Sequence, residues 1–278
     1  MTMTSDRDEF GNRMKGYEAV ETSRTLPPQL PFYARIDGRA FSNFTRSMQR
    51  PFDPRMTAAM IAVAKQLVEA TGARIGYVQS DEISLVWLSN TPESEPLFGG
   101  KLHKLTSVLA SLAAASFQHE LRHSFDSEVA DQLCAMLPHF DARVFSLPNK
   151  VEAANAILWR TLDARKNALC MATRSVYPAK AMHGADQSTM LRMLADKGID
   201  FEAFPDSFRF GTWLRRVWFD RAFSDEQRAA IPRKHWPPVG AVVSRSEVCV
   251  VEMPEFAALK NRVEVIFDEA DPITEAKV

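Results

Sequence analysis

From residue 53 onward the chain switches between two hydrophobic spacings. Met56, Met60, Val63, Leu67 and Ala70 recur every three or four residues and so share one helical face. Asp53 as N-cap, Pro54 at the first helical position and Gly72 beyond the end bracket that helix. Leu102, Leu105, Leu109, Leu112 and Phe117 form a second stripe, and Ile157, Leu158 and Leu162 mark a third helix over 151–171. Short apolar runs of strand length fall between them, at 32–36, 74–79, 83–88 and 140–147. The third of these is apolar on both faces, with Ile83, Leu85 and Trp87 on one side and Val86 and Leu88 on the other, as a central strand would be. Ser80-Asp81-Glu82 is the short link of a hairpin. A loop with Pro92, Pro96, Gly99 and Gly100 precedes the second stripe.

At the N-terminus, 6–18 reads as a short polar helix, and Pro27, Pro28 and Pro31 force an extended link after it. Beyond Pro178 the pattern weakens to a helix within 184–198 and strands at 209–219 and 241–253. Through residue 147 the order is β-α-β-β-α-β, the split βαβ pattern of ferredoxin-like folds and of the palms of polymerases and nucleotidyl cyclases. The expected class is therefore α+β: a palm-like antiparallel sheet with helices packed on it. Residues 6–217 form the main domain and 218–278 a C-terminal extension.

Composition narrows the possibilities. With 46% hydrophobic and 25% charged residues, 278 residues support a sizeable core. No apolar run reaches the 18 or so residues that a membrane span needs, and 1–16 has no apolar signal region. Cys134, Cys170 and Cys249 show no CxxC spacing and read as reduced thiols of a cytoplasmic protein. The net charge of −1 argues against a protein that merely coats nucleic acid. Its distribution is uneven: 143–216 holds 12 Lys/Arg against 7 Asp/Glu, and 220–278 holds 8 against 11. A basic middle fits one face turned to nucleic acid, or an ordinary solvated face.

Chemistry concentrates at one end of the expected sheet. Asp37 closes the first strand and Asp81 and Glu82 sit in the following hairpin. Strands one and three are neighbours in a split βαβ unit, so these carboxylates converge, with the Gly38 carbonyl nearby. Such an oxygen-rich set suits Mg²⁺ and, with two ions, phosphoryl transfer. The alternative is local: Asp37 and Asp81 as turn formers. Arg35, Arg39, Arg50, Lys101 and Lys104 are candidates for holding phosphates. His103, His119, His123 and His139 lack zinc-site spacing, and no GxSxG nucleophile motif occurs.

RIDGRAF (35–41), GYVQSDEIS (76–84), RMKGYE (13–18) and FDARVFSLP (140–148) together resemble the tRNA-His guanylyltransferase family, over about 8–170. That resemblance implies a palm-like nucleotidyltransferase, a 3′–5′ polymerase adding nucleotides to the 5′ end of tRNA with two Mg²⁺ ions. GTP and other NTPs would be substrates, and ATP would activate the 5′ end. It implies metal binding by Asp37, Gly38 and Asp81, with Glu82 in the same catalytic motif. Nucleotide contacts would come from Asp37, Gly38, Arg39, Ala40, Phe41, Ser42, Ser80 and Asp81, from Arg50 and Asp53, from Lys101 and Lys104 at triphosphate positions, and from Asn167. It also implies a homotetramer.

The chain departs from the eukaryotic members after Trp159-Arg160. There a His-Ile-Asn-Asn run is replaced by Arg165-Lys166-Asn167-Ala168, as in bacterial guanylyltransferase-like proteins, and templated repair of 5′-truncated tRNA is the better expectation. A nucleotidyl cyclase acting on nucleotide alone, or a non-catalytic tRNA-binding protein, are the other readings.

Overall fold

The computed structural model describes residues 3–89, 91, 94–236, 238 and 240–274. Pro92 of the expected loop lies outside them. In chain order the elements are α1 (Met3–Thr22), β1 (Phe32–Gly38), α2 (Phe41–Phe44), α3 (Pro54–Thr71), β2 (Ile75–Gln79), β3 (Glu82–Trp87), α4 (Leu102–Ser124), α5 (Ser127–Ala135) and β4 (Phe140–Ser146). They continue with α6 (Lys150–Arg174), α7 (Gln187–Ala195), α8 (Asp206–Arg209), β5 (Thr212–Ala222), α9 (Asp225–Ala229), β6 (Val242–Val251) and α10 (Arg262–Phe267).

The six strands form one sheet in the order β4-β1-β3-β2-β5-β6, every neighbouring pair antiparallel. Its first four strands are the split βαβ expected from the sequence. Capping chemistry sets the first long helix as expected: Asp53 accepts from the Arg55 N–H, and Gly72 stops α3 at φ 66°. All six residues of β3 are buried, as a strand covered on both faces must be.

The two faces are covered differently. α3 and α4 pack Met60, Val63, Leu67, Leu105, Leu109 and Phe117 against Ala34, Ile36, Ile83 and Leu85. α6 covers the other face, where Ala153, Ile157 and Ala164 meet Tyr33, Tyr77 and Val86. The expected division at 217/218 falls inside β5. Residues beyond it supply β6, which pairs with β5 from Trp213↔Val251 to Ala222↔Val242, and α10, whose Val265 and Ile266 join the core under α6. The sequence pattern of β5 alone did not reveal that partner.

Candidate active site

Asp37 is the penultimate residue of β1, opposite Glu82 of β3 on one side and Asp141 of β4 on the other. The Gly38 N–H donates to the Asp81 carbonyl at 3.0 Å, which ties the end of β1 to the β2–β3 turn. Only glycine fits at position 38: a Cβ there would stand 2.4 Å from the Phe41 ring. Phe41 in turn is locked among Phe44, Phe117 and Phe140. Ala40 (φ 57°) and Ser80 (φ 50°) both adopt the left-handed conformation that non-glycine residues rarely take, so the two turns flanking the carboxylates are strained.

Burial pushes the Asp37 carboxyl above its ordinary range, Asp141 adds to this, and Arg35 and Arg143 oppose it. Asp81 is pushed up to about 6, first by burial and then by the charge of Asp37. Asp81, raised by burial and by the neighbouring carboxylate of Asp37, is the member short of positive charge. Among the described residues no third Asp, Glu, His or Cys completes a metal cluster with them. Few protein ligands, all hard oxygens, fit Mg²⁺, which keeps waters and substrate phosphates in its shell.

Beside the pair opens a cleft of about 560 Å³. Ser80, Asp81 and Gln79 form its floor, Phe41, Ser42, Arg50 and Asp53 one wall, and Asn167 and Arg174 of α6 the other. Phe52 and Phe208 line it as a stacked pair 4.7 Å apart. Seven of the expected nucleotide contacts thus line one cavity: Phe41, Ser42, Arg50, Asp53, Ser80, Asp81 and Asn167. Arg39 and Ala40 are exposed on the turn next to it, and Asp37 and Gly38 are not among the residues that line it.

Three expectations change. Glu82 does not join the open acidic pair: its oxygens accept from Arg160 Nε at 2.6 Å and Nη2 at 2.7 Å, and both residues are buried. Burial pushes the Glu82 carboxyl up and the two Arg160 donors oppose it. A buried carboxylate needs such a partner, so Glu82 fastens α6 to the sheet. Asp53 spends its carboxylate on the N–H groups of Arg55 and Gln49 and on the Arg55 guanidinium. Lys101 and Lys104 begin α4 at the far end of the sheet, where Lys101 bridges to Thr25 and Lys104 lies over Phe98. Phe117, which packs near Gly38, is 13 residues further along, roughly 20 Å at helical rise.

Sequence reading missed Arg160, although it falls in the buried stripe between Ile157 and Ala164, where an arginine demands a carboxylate. It also missed Asp141, Arg143 and Arg174. Arg165, standing where the eukaryotic histidine would be, turns away from the cleft, bonds Glu202 at 2.9 Å and lies over Phe201 and Phe210.

The comparisons agree with this geometry. The family model for tRNA-His guanylyltransferase matches residues 11–148. An uncharacterised protein of Acanthamoeba polyphaga mimivirus is 30% identical over 207 residues, 68% of this chain and 70% of that protein. The tRNA(His) guanylyltransferase of Schizosaccharomyces pombe is 27% identical over 247 residues, 81% of this chain and 89% of the relative. A solved bacterial tRNA(His) guanylyltransferase-like protein in complex with ATP superposes with TM-score 0.74 at 26% identity, covering 93% of this chain and 99% of that one. One in complex with GTP gives 0.66 at the same identity.

An antiparallel palm sheet with paired carboxylates beside a nucleotide-sized cleft is the framework of a nucleotidyltransferase. More narrowly, the chain belongs to the tRNA-His guanylyltransferase family. No described helix is long and apolar enough to cross a membrane.

Proposed function

We propose that this protein adds nucleotides in the 3′–5′ direction to the 5′ end of tRNA, as templated 5′-end repair. The supporting observation is the convergence of Asp37 with Asp81, which is short of positive charge and lines a cleft sized for a nucleoside triphosphate. Asp37, Asp81 and the Gly38 carbonyl would hold Mg²⁺, which when bound acidifies a hydroxyl and neutralises phosphate charge.

The chain's own residues do the rest. Arg50 and Arg174 present positive charge to the triphosphate, and the apolar walls with Phe52 and Phe208 exclude water from the base. The 3′-oxygen of the seated nucleotide bonds to the α-phosphorus of a 5′-triphosphate end. Pyrophosphate leaves, and the hydroxyl proton passes to solvent. A 5′-monophosphate end is first adenylylated by ATP with loss of pyrophosphate, and AMP is then the leaving group. Pairing with the opposite strand of the acceptor stem selects the nucleotide, so the protein need not read the base. Replacement of the eukaryotic histidine by Arg165, engaged by Glu202, supports repair over dedicated guanylate addition to tRNA-His. The family resemblance extends this reading to a homotetramer working in the cytoplasm.

The test is extension of a tRNA lacking its first 5′ nucleotide, with a mono- or triphosphate end, given Mg²⁺ and all four NTPs. Addition of the nucleotide matching the opposite base is expected. Nucleotide turnover without RNA would overturn the reading in favour of a cyclase.

A further inference from the structure

The carboxylates have a second approach, on the side away from the cleft. Along β4, Asp141, Arg143 and Phe145 alternate onto the face that α6 covers elsewhere, and all three are exposed. They pair in register with Asp37, Arg35 and Tyr33 of β1. The result is an open shelf that leads directly to Asp37.

Trp159 of α6 stands at its inner edge, 52% exposed, with the guanidinium of Arg160 4.6 Å and that of Arg35 5.4 Å from its ring. Those two cations fix the ring by attraction to its face. The Nε of Arg35 is buried without a hydrogen bond, 4.0 Å from Glu82 Oε2. Asp141, the one acid on the shelf, leans on Arg143 at 3.5 Å.

An exposed aromatic plane held among guanidinium groups suits a base to stack on and a phosphate backbone to neutralise. Phe145, the shelf's other exposed ring, is tilted against Tyr33, so a single plane is held among guanidinium groups, which matches the blunt face of a paired end better than a threaded single strand. Its position matters as well. Asp81 lines the cleft and Asp37 pairs with Asp141 of the shelf, so nucleotide and polymer have separate approaches to the two carboxylates.

We infer that Trp159, with Arg35 and Arg143, is the platform on which the terminal base pair of the acceptor stem stacks, which delivers the 5′ phosphate to Asp37. The inference rests on the proposed 5′-addition activity.

The test compares wild type, Trp159→Ala and Trp159→Phe in 5′ extension and in binding. The probes are the truncated tRNA, a short RNA hairpin with a paired 5′ end, and a single strand of the same 5′ sequence. Trp159→Ala should raise KM for tRNA and Kd for the hairpin about tenfold. The KM for nucleotide should not move, and Trp159→Phe should recover most of the loss. Because Trp159 is half exposed, melting temperatures should match.

Unchanged hairpin affinity in Trp159→Ala, or an equal loss for the single strand, would overturn the platform while leaving 5′ addition intact. A shift of assembly mass in Trp159→Ala, with RNA affinity unmoved, would assign the shelf to a second copy instead. Failure of the wild type to extend any end would reject the activity itself, whatever the hairpin binding shows.

Discussion

Asp81 and Glu82 are neighbours in the chain with opposite surroundings. Asp81 opens on the cleft, crowded by Asp37 and pushed up to about 6. Glu82 lies under α6 with both oxygens gripped by Arg160. One acid is left short of a counter-charge and the other is supplied with one from 78 residues away. An uncompensated carboxylate is a liability to the fold and an asset to cation binding, whereas a compensated one fastens two layers together. A similar contrast separates the sheet's faces: the core under α3 and α4 is built from apolar side chains, whereas the buried Glu82–Arg160 pair lies under α6.

Breaking the open member should have the largest effect. Asp37→Ala or Asp81→Asn should lower the rate of 5′ addition by a factor on the order of 1,000, which corresponds to about 4 kcal/mol. Single-turnover extension on the truncated tRNA would measure it.

Breaking the compensated member should instead destabilise the fold. Arg160→Met leaves Glu82 charged and buried, a cost of about 3–5 kcal/mol. Adding Glu82→Leu to that variant should restore much of the loss, because the buried carboxylate left without Arg160 is then gone. Urea titration of the single and double variants gives the numbers, and equal stabilities would contradict the pairing.

On the apolar face Phe117→Ala should cost about 3–5 kcal/mol through the cavity it leaves. Its ring supports Phe41 and so the turn at Gly38.

The smallest effect concerns pH. The pKa of Asp81 is higher folded than unfolded, so its neutral form favours the fold at low pH. That stability is fully present below the ordinary carboxylate range and is lost as pH rises through about 6. Asp81→Asn should therefore raise metal-free stability at pH 8 by on the order of 2 kcal/mol and change it little at about pH 3, below the ordinary carboxylate range. A melting curve at each pH, in chelator, would check the sign.

Elements that advertise themselves locally were legible in the sequence. The Asp53-Pro54 start and Gly72 stop of α3 are chemical signals within one segment. The convergence of Asp37 with Asp81 followed from strand order alone, since a split βαβ unit places the third strand beside the first. Long-range matters were not legible. Nothing near Glu82 names Arg160 as its partner, and helical spacing does not say which end of the sheet Lys101 and Lys104 reach. The division at 217/218 failed for a related reason: β5 is held by β6, and a pairing across about 20 intervening residues leaves no mark within either strand.

The most direct test of the division of labour between the neighbouring acids puts Asp81→Asn and Glu82→Gln side by side. Each would be assayed for extension of the 5′-truncated tRNA and for its melting temperature. Asp81→Asn should lose the activity while melting at or above wild type, and Glu82→Gln should melt well below it. An active Asp81→Asn protein, or a Glu82→Gln protein as stable as wild type, would contradict the roles assigned to them.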